Sequence, residues 1–303
     1  MISQEKVVAF ESPRSGPASV VRSERLIGAI LLEDGKLTAD GVDRALELQR
    51  TDGMRFGEAA VRLGFVTDND IRFALAKQYD FPHLVPDLDG DGMQPSPELF
   101  AAFAPFHPRT EELRALRTQL LIRWYNPEAG RNTLVIASPG PGEGRSYLAA
   151  NLAIVFSQLG ARTLLVDADL RAPRQHKIFG LPQGHGLSTL LAGRNDYKAT
   201  FPIHGLNRVT VLPAGPLPPN PQELLSRPAF AGLLKELTSV HDVVIIDTPP
   251  AREFADAQSI AYRAGDALVV ARKDHTAVAD ISKVVKELAG TGARVVGTII
   301  NTY

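Results

Sequence analysis

A doubly wound α/β domain with a parallel sheet, preceded by a small all-helical repeat domain, is the architecture that the order of apolar runs predicts. From residue 109 onward, six short runs alternate with helical patterns: TLVIAS, RTLLVDA, VTVLPA, DVVIIDT, ALVVAR and RVVGTII. Runs that are apolar throughout suit strands covered on both faces. Helices between them imply parallel order and right-handed crossovers. Upstream, IGAILLEDGKLTADGVDRALELQ from Ile27 aligns with FGEAAVRLGFVTDNDIRFALAKQ from Phe56, an offset of 29 residues.

In chain order, residues 1–24 mix Pro, Ser, Gly and charge and read as a flexible tail. Residues 25–86 hold the repeat. Each copy reads as a short helix, a glycine turn and a second helix, with Thr38 and Thr67 as caps and Asp40 and Asp70 in the first turns. Neither copy can bury its apolar face alone, so the pair must pack together. Residues 87–108, with Pro95, Pro97, Pro105 and Pro108, read as a linker that sustains neither helix nor central strand. A helix with Leu113, Leu116 and Leu120 on one stripe then opens the α/β domain, residues 109–303.

Composition excludes several classes of function. The 303 residues carry 33 Lys+Arg against 34 Asp+Glu, which leaves no electrostatic footprint for nucleic acid. With no cysteine, thiolate catalysis, disulfides and cysteine-held zinc are ruled out, and the seven histidines show no ligand spacing. The opening residues are no secretory signal, and no apolar run reaches membrane-spanning length. A soluble, cytoplasmic protein is expected.

The chemistry centres on SPGPGEGRSYLAANLA, residues 138–153, where a strand runs through a glycine loop into a helix. That is the context a phosphate-binding loop requires. Gly142 and Gly144 let backbone N–H groups converge on a phosphate, and the helix N-terminus adds positive potential. Ser146 stands where a hydroxyl ligates Mg²⁺. The strict GxxxxGK[ST] pattern fails at Pro139 and Arg145, so the loop alone leaves a structural glycine turn open. Two other strand ends weigh against that alternative: LLVDADLR supplies Asp167 and Asp169, and VVIIDTPP supplies Asp247. Ligands of open parallel sheets gather at the carboxyl ends of strands, so these acids should face the same crevice as the loop.

These motifs resemble those of the bacterial tyrosine kinases of polysaccharide export, in the deviant-Walker group with the ParA/MinD-type ATPases. SPGPGEGRS is similar to that family's Walker A, with Arg145 in place of lysine; LLVDADLR is similar to its Walker A′ and IIDTPP to its Walker B. EELRALR fits an ExxRxxR oligomerisation motif through Glu111, Arg114 and Arg117, and LPAGPLPPNPQELL resembles the segment after the middle strand. The two-domain layout most resembles chain-length-determinant kinases of the EpsG type, whose membrane partner is a separate protein.

The resemblance implies ATP and Mg²⁺ as cofactors, a homo-oligomer, and attachment to the inner membrane through that partner. Pro141, Gly142, Glu143, Gly144, Arg145, Ser146 and Tyr147 would bind ATP, with Arg145 on the β/γ-phosphates and Asn301 near the adenine. Ser146, Asp169 and Asp247 would serve the metal, and Asp167 would activate the acceptor hydroxyl, with Asp169 and Arg145 also in the catalytic set. Such kinases usually end in a tyrosine-rich tail; here Tyr303 stands alone, either a lone acceptor or merely a terminal residue. The repeat resembles the N-terminal domain of type II secretion and pilus ATPases, some of which bind cyclic di-GMP. For that ligand the motif residues are Arg55, Gly57 and Gly64, and the competing role is protein docking. At this stage a non-kinase regulatory ATPase of ParA/MinD type, or an ATP-binding pseudokinase, remains a rival.

Overall fold

The computed structural model describes residues 26–79, 81–84, 94–194 and 199–302. The tail through residue 24, the DLDGDG stretch and Tyr303 lie outside the described residues. Two compact units divide between His83 and Leu84.

The first unit contains α1 (Ile27–Glu33), α2 (Ala39–Asp52), α3 (Phe56–Arg62) and α4 (Asp68–Gln78). Thr38 Oγ1 accepts from the Gly41 N–H at 3.2 Å. Thr67 Oγ1 accepts from the Asp70 N–H at 3.2 Å, while the Asp70 carboxylate accepts from the Thr67 N–H at 2.9 Å. Such caps stabilise a helix start by about 1 kcal/mol. The repeats interlock: α1 packs on α4, and α2 packs on α3. One core results, drawn from Ile30, Leu31, Leu37 and Ala45 of the first copy and Ala59, Ala60, Val66 and Ala74 of the second. The three motif residues have structural duties here. A Cβ on Gly57 would stand 3.1 Å from Ile71 Cγ2, Gly64 turns the chain at φ +72°, and the Arg55 N–H caps α3 onto Glu58 at 3.2 Å.

The second unit begins with α5 (Phe100–Phe103) and α6 (Pro108–Arg123), then β1 (Thr133–Ala137), α7 (Arg145–Gln158) and β2 (Thr163–Asp167). It continues through α8 (Gln175–Ile178), α9 (Leu187–Leu191), β3 (Phe201–Pro202), β4 (Val209–Leu212), α10 (Pro221–Ser226) and α11 (Pro228–Val240). The chain closes with β5 (Val243–Asp247), α12 (Asp256–Ala264), β6 (Asp266–Arg272), α13 (Val278–Gly290) and β7 (Arg294–Asn301). All six apolar runs form parallel strands, in the sheet order β3-β4-β2-β5-β1-β6-β7. The addition is β3, a two-residue antiparallel edge on β4 too short to show a period. One face of the sheet is covered by a core including Trp124, Leu134, Phe156 and Val270, the other by one including Val135, Leu225, Phe230 and Leu288.

One expectation needs correction. Residues 94–107 do not behave as a linker: they contain α5, and Leu99, Ala101 and Ala102 are buried in the α/β core. The prolines do limit helix length, but side chains of α7 meet the backbone groups that a short buried segment would otherwise leave unpaired. Asn151 accepts from the Ala101 N–H at 2.8 Å and donates to the Glu98 carbonyl at 2.8 Å, and Gln158 donates to the Ala101 carbonyl at 3.1 Å.

Candidate active site

The sheet register fixes the site before any side chain is considered. β2 and β5 are neighbours with Asp167 opposite Asp247, and β5 also flanks β1, whose end feeds the glycine loop. Three chemically distinct strand ends therefore meet at one edge, as the sequence motifs anticipate.

The loop is built from its own side chains. Gly142 and Gly144 hold φ of +72° and +95°, which L-residues adopt only at a cost. At Gly144 a Cβ would also collide with Asn301 Nδ2, so β7 closes directly against the loop. That amide donates to the Glu143 carbonyl at 3.2 Å. The buried Glu143 carboxylate accepts from the Gly140 N–H at 2.9 Å and from Thr276 Oγ1 at 2.6 Å, tying the loop to the turn after β6. Tyr147 and Asn301 share with Gly144, Leu113, Val270 and Ile299 the lining of a cavity of about 240 Å³ beside the loop.

Arg145 is 8 % exposed and faces the protein. Its Nε donates to the Thr248 carbonyl at 2.8 Å, and its Nη1 donates to the Gly140 carbonyl at 2.7 Å and to Ser138 Oγ. The guanidinium fork thus braces the loop against the end of β5, using donors that the family resemblance assigns to phosphate. A lysine ammonium could not span these acceptors in the same plane.

The acidic groups are buried and crowded. Asp167 is fully buried, with Oδ1 accepting from the Asp169 N–H at 3.2 Å and Oδ2 from the Arg174 and Gln175 N–H groups at 3.1 and 2.9 Å. Burial pushes its carboxyl well above the ordinary range, and the charge of Asp247 adds to the effect, against the backbone donors. Burial also raises Asp247, while Arg145, Ser146 and Gln175 pull it back down. Asp169 accepts from the Arg171 and Ala172 N–H groups at 3.1 and 2.8 Å. Arg171 itself makes a two-pronged ion pair with the buried Asp256, at 2.8 and 3.1 Å, and lies 3.9 Å above the Phe254 ring.

Residues of the site that sequence reasoning missed are Gln175, Thr248 and Thr276. Gln175 is fully buried, and its side chain donates to the Ser146 carbonyl at 3.1 Å and to Asp247 Oδ2 at 2.8 Å. It lies eight residues past Asp167 with no motif around it; only the fold brings it to Asp247 at the end of β5.

Mg²⁺ fits the donor set. Among the described residues no three carboxylates or imidazoles converge to cage a metal. Mg²⁺ does not need that, since one or two protein oxygens with phosphates and waters suffice. Asp247 Oδ1 is buried with no hydrogen bond of good geometry, and the Ser146 hydroxyl lies close to the same carboxyl. Asp247→Asn is accordingly expected to stabilise the nucleotide-free protein. A carboxyl whose folded pKa is raised loses stability as pH climbs from its unfolded value through the folded one. The advantage of the asparagine is therefore absent at low pH, grows through that window and then levels off. Thermal unfolding across pH in EDTA reads it, at roughly 2–4 °C per kcal/mol for a chain of this class. A pH-independent difference would contradict the assignment.

The helix carrying Glu111, Arg114 and Arg117 stands apart from this cluster. Arg114 pairs with Glu111 and donates to Gln158 Oε1 at 3.4 Å, and Arg117 donates to the Val155 carbonyl at 2.6 Å. Both arginines lean on α7, and burial lowers the Arg117 pKa.

Comparison with known proteins agrees with this geometry. The ParA family profile, described as NUBPL iron-transfer P-loop NTPase, matches residues 130–303. The putative tyrosine-protein kinase CapB of Staphylococcus aureus is 34 % identical over 192 residues, 63 % of this chain and 83 % of CapB. The putative tyrosine-protein kinase EpsB of Ralstonia solanacearum is 36 % identical over 203 residues, 67 % of this chain but only 27 % of EpsB. The kinase domain of Escherichia coli tyrosine kinase ETK superposes with a TM-score of 0.66 at 33 % identity, covering 71 % of this chain and 84 % of that domain. With its glycine loop and paired strand-end aspartates, the chain belongs to the bacterial tyrosine-kinase family of ParA-type P-loop NTPases.

Proposed function

We propose that the protein is an ATP- and Mg²⁺-dependent protein-tyrosine kinase that regulates exopolysaccharide chain length, polymerisation and export. The observation that carries this reading is the pairing of Asp167 with Asp247 on neighbouring strands, in front of the glycine loop. Phosphoryl transfer asks mainly for positioning and charge neutralisation. Loop amides around Gly142 and Gly144 orient the phosphates. Asp167, held by three backbone N–H groups and raised in pKa, takes the proton from the acceptor hydroxyl. Bound Mg²⁺, held at Ser146 and Asp247 with Asp169 in support, supplies neutralisation of phosphate charge.

A membrane-bound chain-length-determinant protein is the proposed partner, placing the kinase at the inner face of the membrane as a homo-oligomer in contact through the Glu111–Arg117 helix. Among the described residues no helix is long and apolar enough to cross a membrane. For the helical unit, the structural duties of Gly57 and Gly64 favour protein docking over cyclic di-GMP binding.

One observation favours the rival regulatory ATPase, namely the commitment of Arg145 to the protein. Incubation of the purified chain with radiolabelled ATP, Mg²⁺ and the partner's cytoplasmic segment separates the two. Phosphotyrosine that disappears in Ser146→Ala is the expected result; ATP turnover without phosphotyrosine would establish the rival.

A further inference from the structure

Gln175 occupies a place that packing alone does not explain. Its backbone N–H reaches Asp167, and its side-chain amide reaches both the first turn of α7 and Asp247, so one residue joins all three strand ends. The amide orientation is fixed, because turning it over would set Oε1 against two acceptor oxygens. Both amide hydrogens are therefore spent, and Oε1 is left buried with no donor. The residue it holds shows the same deficit: Asp247 Oδ1 is also buried with no hydrogen bond of good geometry. These two orphan oxygens belong to groups joined by a single 2.8 Å hydrogen bond.

Buried acceptors without donors are costly, and native structures rarely leave two together. Phosphate oxygens cannot meet the need, since they too only accept. The missing partner must be a hydrogen donor or a cation, and a hydrated divalent cation brings both to this edge, its polarised water being a strong neutral donor.

We propose that Gln175 is a positioning residue for the hydrated metal: it pins Asp247 through Oδ2 and, with Asp247 Oδ1, accepts hydrogens from water on Mg²⁺. This inference rests on the nucleotide–Mg²⁺ reading of the site. It makes Gln175 a determinant of the metal-dependent part of nucleotide affinity, separate from the part supplied by the loop amides.

The test is calorimetric titration of the full chain with ADP, once in EDTA and once in Mg²⁺, for wild type, Gln175→Met and Gln175→Glu. Methionine keeps the side-chain length without donor or strong acceptor, whereas glutamate keeps an acceptor and loses the donors. Gln175→Met is expected to leave ADP affinity in EDTA within about twofold of wild type. It should lose roughly tenfold of the tightening that Mg²⁺ produces, the scale on which groups behind a metal ligand act. Gln175→Glu sets a carboxylate against the Ser146 carbonyl and Asp247, so Asp247 is no longer pinned and the loss of the Mg²⁺ effect should be no smaller; it carries the test should Gln175→Met fail to fold. Equal losses with and without Mg²⁺ would mean mere packing, and an undiminished Mg²⁺ effect would mean no role at the metal; either overturns the inference. Wild type that binds no ADP at all would instead bring down the nucleotide reading itself.

Discussion

Asp167→Asn will lower tyrosine phosphorylation by roughly 10²–10⁴-fold, the range a positioned general base contributes, while ATP affinity stays near that of wild type. The asymmetry follows from where the residue sits. Its carboxylate is turned to the backbone of the 169–175 loop and lies near Asp247 across the strand pair, and the glycine loop proposed to grip phosphate is built without it. Burial and the neighbouring aspartate raise its proton affinity, which suits the proposed role of taking a proton from a phenol. Asparagine keeps the shape, cannot accept a proton, and gives up one of the three N–H contacts. Single-turnover phosphotransfer measured beside nucleotide titration reads both halves of the expectation. Wild-type transfer in the variant would remove Asp167 from the mechanism, and lost ATP binding would reassign it to the loop.

The second large effect belongs to Arg145. Its guanidinium joins Ser138, Gly140 and Thr248, linking the start of the loop to the end of β5. Arg145→Ala leaves the Thr248 and Gly140 carbonyls and Ser138 Oγ without this donor, and each buried acceptor left unmet costs about 1–3 kcal/mol. Arg145→Lys restores the charge but not the fork, so a smaller loss, about 1–3 kcal/mol, is expected from the contacts it cannot reach. Denaturant unfolding of the nucleotide-free protein ranks the three forms. If lysine were as stable as arginine, the brace would have no energetic content. In the lysine form the Thr248 carbonyl is released and the ammonium is free to turn toward phosphate, so ATP turnover should hold or rise even as stability falls.

Legibility followed the range of each interaction. Six strands could be read because each is a continuous apolar run, and the sheet largely buries both faces of the five inner ones, while β7 lies half exposed at the edge; β3 has two residues and no pattern to read. Asp167, Asp169 and Asp247 could be read because a strand end is a local signal and parallel order puts all such ends on one edge. Gln175 could not, since its partners are Ser146 and Asp247, 29 and 72 residues away, and a glutamine between two basic residues looks like any surface loop. Residues 94–107 misled for a related reason. Proline content is a local signal against long helices, whereas burial of Leu99 and Ala101 depends on amides supplied by α7, more than 45 residues downstream.

The interlocked helical repeats have a consequence beyond stability. Pairing α1 with α4 and α2 with α3 joins the first helix of each copy to the second helix of the other, so positions 29 residues apart are counterparts. Leu26 and Arg55 are such counterparts, each at the cap of its copy's first helix. One copy therefore offers an apolar side chain, 73 % exposed, where the other offers a guanidinium. The duplication repeats the helix pairing and varies the surface chemistry, so whatever meets the two caps meets unlike groups.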